Sequence, residues 1–304
     1  MGRLSRHPDG DAKPNLFIIG APKCGTSSLY YWLSQHPEVF VTKKKELNHF
    51  YAPARRRPIS RAKYLGYYSN VKPAHKAIVE VSVWYLFSRI AIDRVLRFNP
   101  EARFLVCLRN PAEMLPTLHT QQIYAGLEGE YDLEKAWDLS DERAAGHFSG
   151  LKKFVNRGDP SHMAYKLSCR LGAQVADLLE KVDQGRVKFV LLDDIRNDQT
   201  AVYRDICRFI GVSDFSASTD LSARNRGQDR RGRKLDRLHA VVNAHGWLKK
   251  MVPDSVFEYL TPENLKVAKT AEMSPSFKRK VKRYFAEDVE MLQSLIDRDL
   301  SDWR

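Results

Sequence analysis

Apolar residues along the chain fall into two patterns. Short unbroken runs occur at 16–20 (LFIIG), 76–83 (KAIVEVSV), 102–108 (ARFLVCL) and 186–192 (RVKFVLL). A strand with one wet face alternates polar and apolar residues, so continuous runs of this length predict strands covered on both faces. Between them, apolar residues recur every three or four positions. Leu29, Trp32 and Leu33 mark a helix within 26–36 that Pro37 closes. Ile90, Val95, Leu96 and Phe98 mark another, as do Leu167, Leu171, Val175, Leu178 and Leu179, and then Tyr203, Ile206, Phe209 and Ile210. Phe277, Val281, Phe285, Val289, Leu292 and Ile296 give a last amphipathic helix over 276–296. Strands alternating with helices predict an α/β fold with a central, mainly parallel sheet flanked by helices. Residues 1–15 read as a flexible N-terminal arm and 16–304 as a single domain, with no repeat and no linker.

Composition narrows this only in part. The 304 residues carry 50 Lys+Arg against 37 Asp+Glu, a formal charge of 50 − 37 = +13, with 43% hydrophobic residues. The mix is that of a globular chain large enough to need no staples. No apolar run approaches the ~18–20 residues of a membrane helix, and residues 1–15 lack the apolar core of a secretory signal. The four cysteines, at 24, 107, 169 and 207, have no zinc-ligand spacing and read as reduced thiols, so a cytoplasmic protein without a metal site is expected. The excess positive charge asks for an anionic partner: nucleic acid, a phosphate-bearing cofactor, an acidic glycan or a membrane surface.

The first strand runs into Gly20-Ala21-Pro22-Lys23-Cys24-Gly25-Thr26-Ser27-Ser28. Strand, glycine turn and helix together aim backbone N–H groups at an anion. Gly20 and Gly25 have Walker A separation, but Thr26 stands where the Walker lysine belongs and Lys23 sits inside the loop. A lysine there lies nearer the first phosphate than the β/γ-phosphates, and three hydroxyls follow. An ordinary turn capped by Thr or Ser is the bland alternative. Arg109, at the end of the third run and before Pro111, is either a ligand contact or a surface ion-pair partner. In Lys43-Lys44-Lys45-Glu46-Leu47-Asn48-His49-Phe50-Tyr51, Glu46 or His49 could take a proton from an acceptor; alternatively the lysines are a solvated face and Glu46 their counter-charge. The stretch 224–237 is dominated by arginine without interleaved aromatics, which weakens a nucleic-acid reading.

These blocks resemble the sulfotransferases that use 3′-phosphoadenosine 5′-phosphosulfate (PAPS), of the glycan-modifying and bacterial branches. Pro22, Lys23, Gly25, Thr26, Ser27 and Leu29 match that family's 5′-phosphosulfate loop. The resemblance implies a P-loop NTPase-like sulfotransferase fold, with Lys23 on the 5′-phosphate and bridging oxygen, and with Cys24, Gly25, Thr26, Ser27 and Ser28 around the same phosphate. Leu108-Arg109-Asn110-Pro111 matches the second block, which pairs its arginine with a hydroxyl eight residues on. That implies Arg109 and Thr117 on the 3′-phosphate, with Pro116 a departure expected to kink the helix. Lys45, Glu46 and Phe50 match a motif whose Glu is the catalytic base, His49 replacing its first aromatic residue. Glu46 is then the implied base, His49 the second candidate and His119 the third.

Glu80 and Ser82 match a further strand motif, with Val81 and Val83 in place of its Lys and Pro. Asn225, Arg231, Arg233 and Leu235 match a late block in which Gly227 and Gly232 replace serines, implying Arg231, Gly232 and Arg233 as cofactor contacts. Residues 191–198 read as structural, and Tyr165 as a packed aromatic or an acceptor-cleft residue. The resemblance covers about residues 16–235. It implies transfer of a sulfuryl group from PAPS to a hydroxyl or amine of a carbohydrate or small-molecule acceptor, leaving PAP, with no metal and no nucleic acid. A cleft for the acceptor is expected from 52–75 and 120–160. A nucleotide-dependent phosphotransferase would need Mg²⁺ and a lysine directly after Gly25. A non-enzymatic polyanion binder would use the basic run after 224.

Overall fold

The computed structural model describes residues 12–51, 59–125, 127–148, 159–222 and 272–304. Most of the expected N-terminal arm, and Arg231, Gly232 and Arg233, lie outside the described residues. In chain order the elements are β1 (Leu16–Gly20), α1 (Thr26–Ser34), β2 (Val39–Val41), α2 (Arg61–Gly66), β3 (Ala77–Val81), α3 (Ala91–Phe98), β4 (Arg103–Leu108), α4 (Pro111–Tyr124), α5 (Leu133–Asp138), α6 (Ser140–Ala144), α7 (Tyr165–Ser168), α8 (Leu171–Leu179), β5 (Val187–Leu191), α9 (Leu192–Asn197), α10 (Gln199–Ile210) and α11 (Pro275–Ile296). They form two compact units. The described residues of the first lie within 1–110, 171–224 and 286–304, and those of the second within 111–170 and 225–285.

The first unit holds a five-stranded sheet in the order β2-β3-β1-β4-β5, parallel throughout. Every residue of β1 and of β3 is buried, which is why those segments read as continuous apolar runs. β1 is the central strand. It pairs with β3 on one side and β4 on the other, so the C-terminal ends of β3, β1 and β4 lie side by side. That is where an open parallel sheet leaves room for a ligand. Phe17 anchors the core below, its ring 6.1 Å from Phe50 and 6.0 Å from Phe104.

The expected strands and the first, second and last helices are present within a residue or three of their predicted ends. α2, α5, α6 and α9 carry no marked period and are not among the expected elements, and two further departures have a plain cause. β2 has only three residues, too few to show a period. The pattern at 167–179 is not one helix: α7 ends at Ser168 and α8 begins at Leu171. Leu171, Val175 and Leu178 are buried while Leu167 is 40% exposed. The break has a tertiary cause. The carboxylate of buried Asp288, on α11, accepts hydrogen bonds from the Gly172 N–H (2.9 Å) and the Ala173 N–H (3.0 Å), capping a new helix start. Gly172 permits the approach, because a Cβ there would lie 2.2 Å from the Asp288 carbonyl oxygen. We expect Asp288→Ala to lower unfolding stability by roughly 2–3 kcal/mol, the cost of charge-assisted bonds to two N–H groups left without that partner. Chemical denaturation would measure it.

The second unit packs α4 to α7 and the first part of α11. Trp137 stands edge-on to Phe277 (6.0 Å) and Phe285 (5.6 Å). Arg143 and Glu128 form a fully buried pair 2.7 Å apart, and Glu128 also accepts the Tyr165 hydroxyl at 2.8 Å. Among the described residues, no helix is long and apolar enough to cross a membrane.

Candidate active site

The site is built at the C-terminal ends of β1, β3 and β4, all in the first unit. After β1 the chain turns through Lys23, in the left-handed region (φ 65°), and Gly25 (φ 100°) into α1. Gly25 caps that helix without a side chain. A Cβ there would be strained and would meet Ile195 and Leu192 at 3.0 and 3.2 Å. The helix holds its place because Leu29, Trp32 and Leu33 are fully buried. Its first turn therefore presents backbone N–H groups at the sheet edge, with Ser27 partly exposed there and Thr26 and Ser28 buried. Cys24 is buried, its thiol donating to the Pro22 carbonyl, and burial pushes its pKa up to about 12. It supplies backbone to the loop, not a thiolate.

Cations gather on this turn. Arg109, just beyond β4, donates to the Lys23 carbonyl at 3.4 Å. Lys45 donates to the Ser27 hydroxyl at 3.0 Å and lies 5.0 Å over the Tyr30 ring. The Lys23 pKa is lowered, first by burial and then by the charges of Arg109 and Lys45, offset in part by Cys24. Burial also lowers that of Lys45.

The loop after β2 brings in Glu46. Its N–H donates to the Val81 carbonyl at 2.8 Å, and its Oε2 accepts from the Val83 N–H at 3.1 Å. Glu46 (φ 56°) and Asn48 (φ 51°) are both left-handed, a conformation that costs a non-glycine residue on the order of 1 kcal/mol or more. Glu46 is exposed to solvent as a residue, while the protein around it partly desolvates its carboxylate. That desolvation raises its pKa to about 7, further helped by Glu80 and opposed by the Val83 N–H and Lys45. Water still reaches the group and works against the rise, so its direction is what the chemistry uses. A carboxylate that is both reachable and more basic than usual suits a proton acceptor.

The sequence from 13 to 223 matches the family model for the sulfotransferase domain. The chain belongs to that family. The structure is similar to the crystal structure of a sulfotransferase from Alicyclobacillus acidocaldarius, with TM-score 0.69 and 26% identity, covering 96% of this chain and 99% of that one. A stretch of 100 residues is 29% identical to the membrane-associated sulfotransferase kil1 of Dictyostelium discoideum. That match covers 33% of this chain and 21% of kil1, so it spans about a fifth of kil1's length.

The sulfotransferase's other expected site residues fall in several places. His49 is half-buried: its Nδ1 is 3.0 Å from the Ile59 carbonyl, its ring stacks on Tyr64 at 4.2 Å, and burial lowers its pKa. It pins the loop that carries Glu46. Thr117 belongs to the second unit. Pro116 sits inside α4 without ending it, and the Thr117 hydroxyl donates to the Glu113 and Met114 carbonyls of the same helix, at 3.1 and 2.7 Å. His119 is fully buried with Nε2 2.8 Å from the Glu130 carbonyl, which no acceptor could reach in this arrangement. Tyr165 is a packed aromatic with its hydroxyl on Glu128.

Two contributions do not show in the local sequence. Lys45 reads as part of a lysine run and as a motif match, with no partner foreseen; Lys43 and Lys44 are exposed, whereas Lys45 turns to Ser27. Glu80 reads only as a motif match, and it is buried beneath the loop that carries Glu46.

Proposed function

We propose that this protein transfers a sulfuryl group from PAPS to a hydroxyl or amine of an acceptor, leaving PAP. The observation that carries the reading is the gathering of Lys23, Lys45 and Arg109 on the N-terminal turn of α1. Positive side chains beside the N–H groups of a helix N-terminus form a surface suited to a phosphate or sulfate. Lys23 inside the loop, with Thr26 in the Walker lysine position, suits a 5′-phosphosulfate rather than a γ-phosphate.

Lys23, Gly25, Thr26, Ser27 and Ser28 would hold the 5′-phosphate end and Arg109 the 3′-phosphate. PAPS supplies the sulfuryl group. Lys23 offers positive charge to the leaving oxygen, and Glu46 takes the proton that the acceptor loses. The reading calls for no metal. The acceptor is a carbohydrate or a small molecule approaching past the exposed Lys43 and Lys44. The four cysteines are buried and none forms a disulfide, which suits a reducing, cytoplasmic setting.

Calorimetric titration with PAP against ATP/Mg²⁺ tests the nucleotide assignment. PAP is expected to bind without added metal and ATP/Mg²⁺ far more weakly. Tight binding of ATP/Mg²⁺ alone would overturn the reading in favour of a phosphotransferase.

A further inference from the structure

Glu80 is 1% exposed, in the middle of the sheet on β3. Hydroxyl groups surround its carboxylate. Tyr64 donates to Oε2, while Tyr85 (2.6 Å) and Ser82 (3.0 Å) donate to Oε1. Two of these hydroxyls pass the interaction on. The Ser82 oxygen accepts from the Asn48 N–H and the Tyr85 oxygen from the Phe50 N–H, both at 3.1 Å. The third donor, Tyr64, is the ring on which His49 stacks. Each of these three donors therefore holds the segment 46–50, in which Glu46 and Asn48 keep left-handed backbones that only a well-held loop sustains.

We propose that Glu80 is a positioning residue for the base: through Ser82 and Tyr85 it fixes the loop that carries Glu46. The inference rests on Glu46 being the base.

The groups facing Glu46 are Lys45 on its own loop, Glu80 on β3, and the Val83 N–H just after β3. Lys45 and the Val83 N–H favour the carboxylate form, and Glu80 opposes them. Those facing Glu80 are Tyr64 and Tyr68 near α2, with Ser82 and Tyr85 beyond β3. Burial pushes Glu80 itself up to about 7, against its three hydroxyl donors, so the charge it sets beside Glu46 grows as pH rises through that region; Glu80→Gln removes it and should make Glu46 more acidic and a weaker base.

The test compares Glu80→Gln, Ser82→Ala and Glu46→Gln in the full chain, measuring kcat against pH, PAP affinity and melting temperature. For Glu80→Gln we expect kcat at pH 7 to fall roughly 10–100-fold, as for a misplaced catalytic group. PAP affinity should stay within about twofold, and the acid limb of the profile should move down by about half to one pH unit, the reach of one charge through a partly wet site. A fall in kcat with an unmoved limb is what a merely structural residue gives and overturns the proposal, as does wild-type behaviour. If Glu80→Gln does not fold, Ser82→Ala decides: a comparable fall in kcat at unchanged PAP affinity supports the relay, and wild-type kcat overturns it. Glu46→Gln separates the two levels. If it stays active, the base assignment fails and takes this inference with it. If it is inactive while Glu80→Gln and Ser82→Ala behave as wild type, only the inference fails.

Discussion

Glu46→Gln is expected to lower kcat by about 10²–10⁴-fold, the usual contribution of a positioned general base, while PAP affinity stays unchanged. Gln keeps the size of the side chain and an oxygen for the Val83 N–H, so the left-handed loop should survive. What it loses is the lone pair that takes the acceptor's proton. The pH dependence gives a second check. A carboxyl group whose pKa is raised toward about 7 works only when deprotonated, so wild-type kcat/KM should rise as pH increases through that region and fall as the group protonates below it. The variant's residual rate should lack that limb. Retention of most activity in Glu46→Gln would falsify the assignment and turn attention to His49, whose imidazole is the next candidate by chemistry.

Lys23→Met should produce the second large effect. Methionine keeps the length of the stem and the same left-handed backbone demand, so the loop is perturbed little beyond losing its charge. A preorganised donor to developing negative charge is worth about 10²–10³ in kcat, and that is the loss expected. PAP binding should weaken as well, because one of three gathered cations is gone. Steady-state kinetics with a PAP titration would separate the two. A variant that binds PAP less tightly but turns over at the wild-type rate would make Lys23 a binding residue only.

Much of the site is legible in the amino-acid sequence because its chemistry is local. Lys23, Gly25 and Thr26 to Ser28 sit in nine consecutive residues, and a strand-turn-helix presents them together wherever it occurs. Arg109 is legible for the same reason, as the residue that ends a buried strand. The continuous apolar runs require a sheet covered on both faces, and all four appear in it. Short-range spacing carries no information on partners far along the chain. Lys45 reads as one of three lysines that also matches a family motif, and only the fold shows it bonded to Ser27, 18 residues away. Asp288 splits the helix expected over 167–179 from more than a hundred residues downstream. No periodicity around Leu167 could announce it.

The strands, the strand-turn-helix around Lys23 and the family thus follow from the chain read linearly, since each depends on neighbouring residues or on period alone. How Glu46 is held does not. Glu46 is pinned by Val81 and Val83, its loop by Ser82 and Tyr85, and those by a buried Glu80, because β2, which runs into that loop, lies beside β3 in the sheet. Strand order is set by which apolar faces can be covered together, and that is a property of the whole chain rather than of any segment.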